Sequence, residues 1–192
     1  MRFFSGGLRY FQKNINNLAS LLRVLFLKLL YPNLQIDFKT KIGPNCTIKC
    51  IEGGKMIISN CIIKEGCHII VDFEGYISID TAYIGMNSVI IAKESIIINQ
   101  GCLLAEMVVI RDQDHVINLI NDNDNRQLFN HSPIYIGKKV WIASKATVLR
   151  GVRIDDFSVV AASSVVNCNI PACQVWGGIP SKFINHVNKI NL

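Results

Sequence analysis

The five residues Arg111 to His115, RDQDH, gather one imidazole, two carboxylates and a guanidinium in a stretch otherwise flanked by Val and Ile. An imidazole can accept a proton near neutral pH, and a neighbouring carboxylate can fix its tautomer and support its charged form. His115 is therefore the candidate general base, with Asp112 and Asp114 as candidates to orient it. His131, just before SPIYIG, is the rival base. His68 and His186 lack an acidic neighbourhood in the sequence.

The residues around this stretch keep a six-residue beat. Ile136, Ile142, Val148, Ile154, Val160 and Val166 follow one another at a spacing of six, and two residues before each stand Ile134, Val140, Ala146, Val152, Ser158 and Ser164. A helix cannot use this spacing, because six residues advance about 600° and scatter over three faces. A strand keeps such positions on one face, since six is a multiple of two. One straight strand over this span would run to about 110 Å, so the chain must turn after each unit. Repeated short strands and turns predict an all-β solenoid of stacked parallel coils. Earlier runs follow the rule with slips: Ile36, Ile42, Ile48; Ile57, Ile63, Ile69; Ile84, Ile90, Ile96.

The expected organisation is an N-terminal helical segment over 1–33, a repeat solenoid over 34–171 and a C-terminal cap or helix over 172–192. An excursion loop at about 111–133 lacks the beat and carries NDNDNR. Polar insertions on a rigid scaffold often carry function. Arg126 in this loop either meets an acidic substrate or pairs with Asp122 or Asp124.

The chain has 192 residues, 50% of them hydrophobic, with a formal charge of +6 and mean hydropathy +0.31. This suits one folded domain with an appendage and excludes a disordered chain. Basic residues are dispersed and accompany no nucleic-acid motif, so no nucleic-acid partner is expected. Seven cysteines form an odd set without a C-x-x-C pair, which disfavours zinc and a disulfide framework. Cys46, Cys61 and Cys67 each precede an Ile of the repeat by two residues and are expected as buried thiols in a reducing cytosol. No metal site is expected, because the four histidines are dispersed.

The stretch LASLLRVLFLKLLY, Leu18 to Tyr31, is too short to span a bilayer and contains Arg23 and Lys28. Leu18, Leu21, Leu22, Leu25 and Leu29 have helical spacing, and Asn16, Ser20 and Arg23 form a polar stripe. Residues 1–31 either dock on an anionic membrane face or pack against the protein or a sister subunit. Pro32 ends the helix. No signal peptide is expected.

The stretch IYIGKKVWIASKATVLRGVRIDDFSVVAASSVV, followed by IPACQVWGGIPSKFI, resembles the left-handed β-helix acyltransferases of the hexapeptide-repeat family, in particular the sugar O-acetyltransferases of surface-polysaccharide pathways. The likeness runs from Leu34 to about Asn185. It implies a left-handed parallel β-helix, a homotrimer with sites between subunits, acetyl-CoA as co-substrate and a sugar or saccharide acceptor. It also implies a cytoplasmic location, with association at the inner membrane face left open. In the resembling enzymes a histidine of the excursion loop is the base, the place of His115, and an Asp lies two residues before it, where this chain has Gln113.

GGIPSK resembles the family's closing signature and gives Lys182 a place near the phosphates of CoA. By the same matching Ser144, Ala162 and Asn167 line the pantetheine channel, and Trp141 walls the acceptor site or packs at a subunit contact. Ala143, Asp155 and Ser163 stand where the family usually has glycine, and Ala143 lies where it would narrow the donor tunnel. A serine or amino-sugar acetyltransferase would use the same scaffold. A catalytically silent scaffold or membrane-associated binding module is the alternative from a different class.

Overall fold

The computed structural model describes residues 3–116 and 128–187, with side chains from residue 14. After a helix, α1 (Phe3–Leu30), the chain winds through short strands that stack into three parallel sheets, each coil contributing one strand to each sheet. The first sheet begins with Leu34–Ile36 and ends with Arg153–Ile154; the third runs from Thr47–Cys50 to Val165–Val166; each holds six strands. The second begins at Lys41–Ile42 and carries two further strands at its C-terminal end. This is the parallel solenoid of about six coils that the spacing requires.

Its interior is the beat itself. Ile36, Ile42, Ile48, Ile63, Ile69, Ile84, Ile90 and Ile96 are buried, as are all six members of the series from Ile136 to Val166. The small positions two residues earlier are buried too, and the two serines among them are satisfied: the Ser158 hydroxyl donates to the Pro171 carbonyl (2.8 Å), and Gly178 N–H donates to Ser164 Oγ (3.1 Å). Cys61, Cys67 and Cys102 fill the same inner positions, whereas Cys46 is only half-buried. Burial pushes the thiols of Cys61 and Cys102 up to about 11, as expected of inert core groups.

Two expectations are corrected. Ile57 points outward while Met56 and Ile58 are buried. The corner that follows is one residue shorter than in the first coil, with Asn60 in the left-handed region (φ 52°), so the beat slips by one. Secondly, no C-terminal helix occurs among the described residues. Gln174–Gly177 and Lys182–His186 pair as an antiparallel hairpin closing the second sheet, a conformation that Val175, Trp176, Phe183 and Ile184 favour over helix.

The sequence leaves open which face of α1 meets the protein, and the structure leaves most of its leucines exposed. The face turned to the solenoid is mixed: Val24 is fully buried with Leu27 and Tyr31 packed beside it, Ile42 N–H donates to Ser20 Oγ (2.8 Å), and Arg23 and Lys28 donate to the carbonyls of Ile42 (3.1 Å) and Ile36 (2.9 Å). The open edge of the first coil supplies unpaired backbone groups, and these side chains satisfy them.

Corners between strands use left-handed residues repeatedly. Ser163, where the resembling enzymes usually have glycine, sits at φ 56°, so it keeps the turn that glycine would make. Gly85 has a different reason: a Cβ there would collide with the backbone of Ala105 and Glu106 in the next coil.

Candidate functional site

The beat breaks at the end of Val109–Arg111, where the chain leaves the corner between the third and first sheets. It does not leave as an irregular loop. Gln113–His115 pairs antiparallel with Phe129–His131, placing Gln113 opposite His131 and His115 opposite Phe129. Alternation along each strand puts these four side chains on one face and Asp114 and Asn130 on the other. Residues 117–127, including Arg126, Asp122 and Asp124, lie outside the described residues.

Asp112 anchors the base of this hairpin. Its carboxylate is fully buried and accepts the backbone N–H groups of Lys93 (2.9 Å), Glu94 (2.8 Å) and Ser95 (2.8 Å), while its carbonyl accepts Ser132 N–H (2.9 Å). Burial pushes its carboxyl above the ordinary value, against the pull of those three donors. Both carboxylate oxygens thus accept from the preceding coil, and Asp112, one of the two candidates to orient His115, also ties down the base of the hairpin. Asp114 pairs with Arg150 (2.8 Å) on the exposed side.

His115 is exposed and stacks on Phe129, with ring centroids 4.4 Å apart at 39°. Phe129 in turn lies 4.3 Å from Lys93 Nζ, which sits 3.5 Å from the ring centroid of Phe73 and pairs with Asp72 at 3.0 Å. Lys93 is 9% exposed, so this cation is held rather than solvated. A chain of contacts, Asp72 to Lys93 to Phe129 to His115, therefore sets the imidazole. Phe129→Ala should lower any turnover that depends on the His115 imidazole roughly tenfold, as misplaced groups do, and Phe129→Tyr should restore it. Steady-state kinetics on the three proteins checks this.

On the same face of the hairpin, His131 Nδ1 lies 2.9 Å from Glu94 Oε2. Neither Glu94 nor the Lys93–Phe129 support was visible in the sequence, because they meet across coils; the only signal was the aromatic Phe129 next to a candidate histidine.

The residues expected to handle a donor fall at two corners. Strand pairing of Trp141–Ile142 with Val159–Val160, and of these with Val175–Trp176, places Ser144, Ala162 and Gly178 at equivalent points of successive coils. Ser163 N–H donates to Ser144 carbonyl (2.9 Å) across this corner, and Lys182 pairs with Gly177 at its end. Ser144, Ala162 and Lys182 thus share one edge, between the second and third sheets. Asn167 stacks over Leu149 at the other corner, the one from which His115 departs. Ala143 is half-buried and its N–H donates to the Val160 carbonyl (2.9 Å), in the corner occupied by Ser144. Trp141 stands outward on the second sheet in register with Leu103, Tyr83 and Ile62, an exposed apolar ladder. Among the described residues no group of His, Cys, Asp and Glu is placed to hold a metal ion.

The described residues thus form a solenoid with six-residue repeats, interrupted by a hairpin that bears a histidine and closed by a Gly- and Pro-containing turn. Proteins similar to this chain in sequence and in structure include acyltransferases. The chain is 34% identical over 107 residues to WbbJ of Escherichia coli (strain K12), provisionally described as a lipopolysaccharide biosynthesis O-acetyl transferase, covering 50% of this chain and 55% of that protein. It is 31% identical over 106 residues to galactoside O-acetyltransferase of the same organism, covering 55% and 51%. The chain spans about half the length of these curated relatives.

Among solved structures, a mutant of AntD, an N-acyltransferase from Bacillus cereus in complex with dTDP and coenzyme A, superposes with TM-score 0.66 at 17% identity over 85% of this chain and 89% of that one. A hexapeptide-repeat acetyltransferase from Vibrio cholerae complexed with acetyl coenzyme A gives 0.52 at 22% identity over 82% and 72%. These likenesses establish the fold. No family model matches the chain.

Proposed function

We propose that this protein is an acetyl-CoA-dependent O-acetyltransferase that modifies a hydroxyl of a sugar or saccharide, with surface polysaccharide as the class of acceptor. The observation that carries this is His115, exposed on a hairpin whose base is pinned by Asp112 and whose ring is set by Phe129. The curated relatives supply the direction, since both are described as O-acetyltransferases.

In the proposed reaction the neutral imidazole of His115 accepts the proton of the acceptor hydroxyl as its oxygen attacks the thioester carbonyl carbon. The tetrahedral intermediate collapses, the C–S bond breaks, and the CoA thiolate leaves and takes the proton back from the imidazolium. Backbone N–H groups suffice for the oxyanion. Lys182 attracts the CoA phosphates, and Ser144, Ala162 and Asn167 line the pantetheine arm. Arg126 is the proposed acceptor contact from the loop.

The separation of the two corners supports a trimer, in which one subunit's Ser144 edge faces another's hairpin. The ladder of Ile62, Tyr83, Leu103 and Trp141 is the apolar surface such a contact would bury. Of the two roles open to Trp141, acceptor wall and subunit contact, its place in this ladder favours the second. Seven free cysteines support a reducing, cytoplasmic compartment.

A second assignment of the base has its own observation: His131, unlike His115, has a carboxylate partner at 2.9 Å among the described contacts. The test is acetyl-CoA turnover with a panel of sugar and glycan acceptors, following thiol release, beside the thermal shift given by CoA. An acceptor that accelerates thiol release, with CoA raising Tm, upholds the proposal. A protein that neither turns over nor is stabilised by CoA is the silent scaffold.

A further inference from the structure

The outer face of α1 is apolar where a surface helix should be polar. With the face of Ser20 and Val24 turned to the solenoid, Ile15, Leu18, Leu22, Leu25, Phe26 and Leu29 are all left exposed, Leu29 at 86%, Phe26 at 63% and Leu18 at 59%. At 100° per residue these side chains occupy one continuous arc opposite Ser20 and Val24, the buried positions of the helix. A contiguous apolar surface of this size on a folded chain marks an interaction site.

We infer that this face of α1 lies on an anionic lipid surface and anchors the protein peripherally. The helix cannot instead cross the bilayer, since no helix among the described residues is long and apolar enough. Charge chooses the partner. The first 36 residues contain five basic residues and no acidic one; Arg23 and Lys28 are engaged by the carbonyls of Ile42 and Ile36, and Arg2, Arg9 and Lys13 add to the positive potential of the helix. Lys39 and Lys41, both exposed, follow immediately in the first coil, beside the exposed ring of Phe38. A second copy of the helix would match the leucines but bring the same cations and no carboxylate to meet them. Anionic headgroups satisfy both requirements, apolar insertion and positive potential.

The geometry suits this role. α1 is 28 residues long, about 42 Å, and it caps the first coil, so its outer face points away from the solenoid. Contact through this face leaves the hairpin of His115, which departs from the fourth coil, off the lipid surface.

The experiment is co-sedimentation of the full chain with vesicles of phosphatidylcholine alone and of phosphatidylcholine with about one-third phosphatidylglycerol. Binding to the anionic vesicles should exceed binding to the neutral ones by roughly tenfold or more and weaken with salt. Leu22→Glu combined with Leu29→Glu should reduce it by about a hundredfold, with unchanged circular dichroism and Tm, since both side chains are exposed. Equal or absent binding to the two vesicles overturns the inference. So does a larger wild-type assembly in solution that the double variant dissolves, which would assign the face to a second copy.

Discussion

Replacing His115 by alanine is expected to lower kcat for acetyl transfer by roughly 10²- to 10⁴-fold, the loss usual for a general base, while CoA still raises Tm as it does in the wild type. Stability should hardly move. His115 is exposed, and its one described packing contact is the ring of Phe129, a stacking worth about 0.5–1.5 kcal/mol. The proposed donor contacts at Ser144, Ala162 and Lys182 lie on another corner of the solenoid and should survive the change. His131→Ala sharpens the result. Its pairing with Glu94 at 2.9 Å joins two half-exposed groups, and such pairs contribute little to stability. If His115 is the base, His131→Ala should cost less than about tenfold. The reverse ranking, measured by thiol release at saturating acetyl-CoA, would transfer the role to His131 and its carboxylate.

Much of this architecture was legible because the solenoid repeats a single physical demand. Every coil must bury the same positions, so Ile136, Ile142 and Val148 announce the fold more clearly than any one helix could. The slip at Ile57 was not legible, since one fewer residue at the Asn60 corner changes which side chain points inward without changing composition. Periodicity in α1 gave the angle between polar and apolar stripes but not which stripe meets the protein. That depended on the unpaired carbonyls of Ile36 and Ile42, which exist only once the first coil is formed. The closing segment is strand rather than helix for a related reason: its pairing is supplied by Val159–Val160, a neighbour in space.

The site divides in the same way. His115 stood out because an ionisable group in a break of the repeat is visible from the chain alone. Its supports did not, because Lys93, Glu94 and Phe73 belong to earlier coils that the stacking brings beneath the hairpin. Asp112 was visible as an acid beside a histidine, yet its neighbours across the coil decide its use.

That use makes Asp112→Ala the substitution with the largest expected effect on stability, about 3–5 kcal/mol. The carboxylate is buried and receives three backbone N–H groups at 2.8–2.9 Å, those of Lys93, Glu94 and Ser95. Alanine removes the acceptor without removing the donors, and each buried donor left unsatisfied costs about 1–3 kcal/mol, more where the lost partner was charged. Water entering the gap would recover part of this, which sets the lower end of the range. Asp112→Asn should cost less, because its amide oxygen can still accept while its NH₂ group faces the remaining donors. Denaturant unfolding measures both. The asparagine variant also separates the two roles open to this residue: an acid that orients His115 would lose kcat at unchanged stability, whereas an anchor of the hairpin loses stability first. Because the hairpin carries His115 and Phe129 together, partial activity in the asparagine variant should fall in step with its folded fraction as temperature rises. A variant with wild-type Tm and abolished turnover would return Asp112 to the catalytic group.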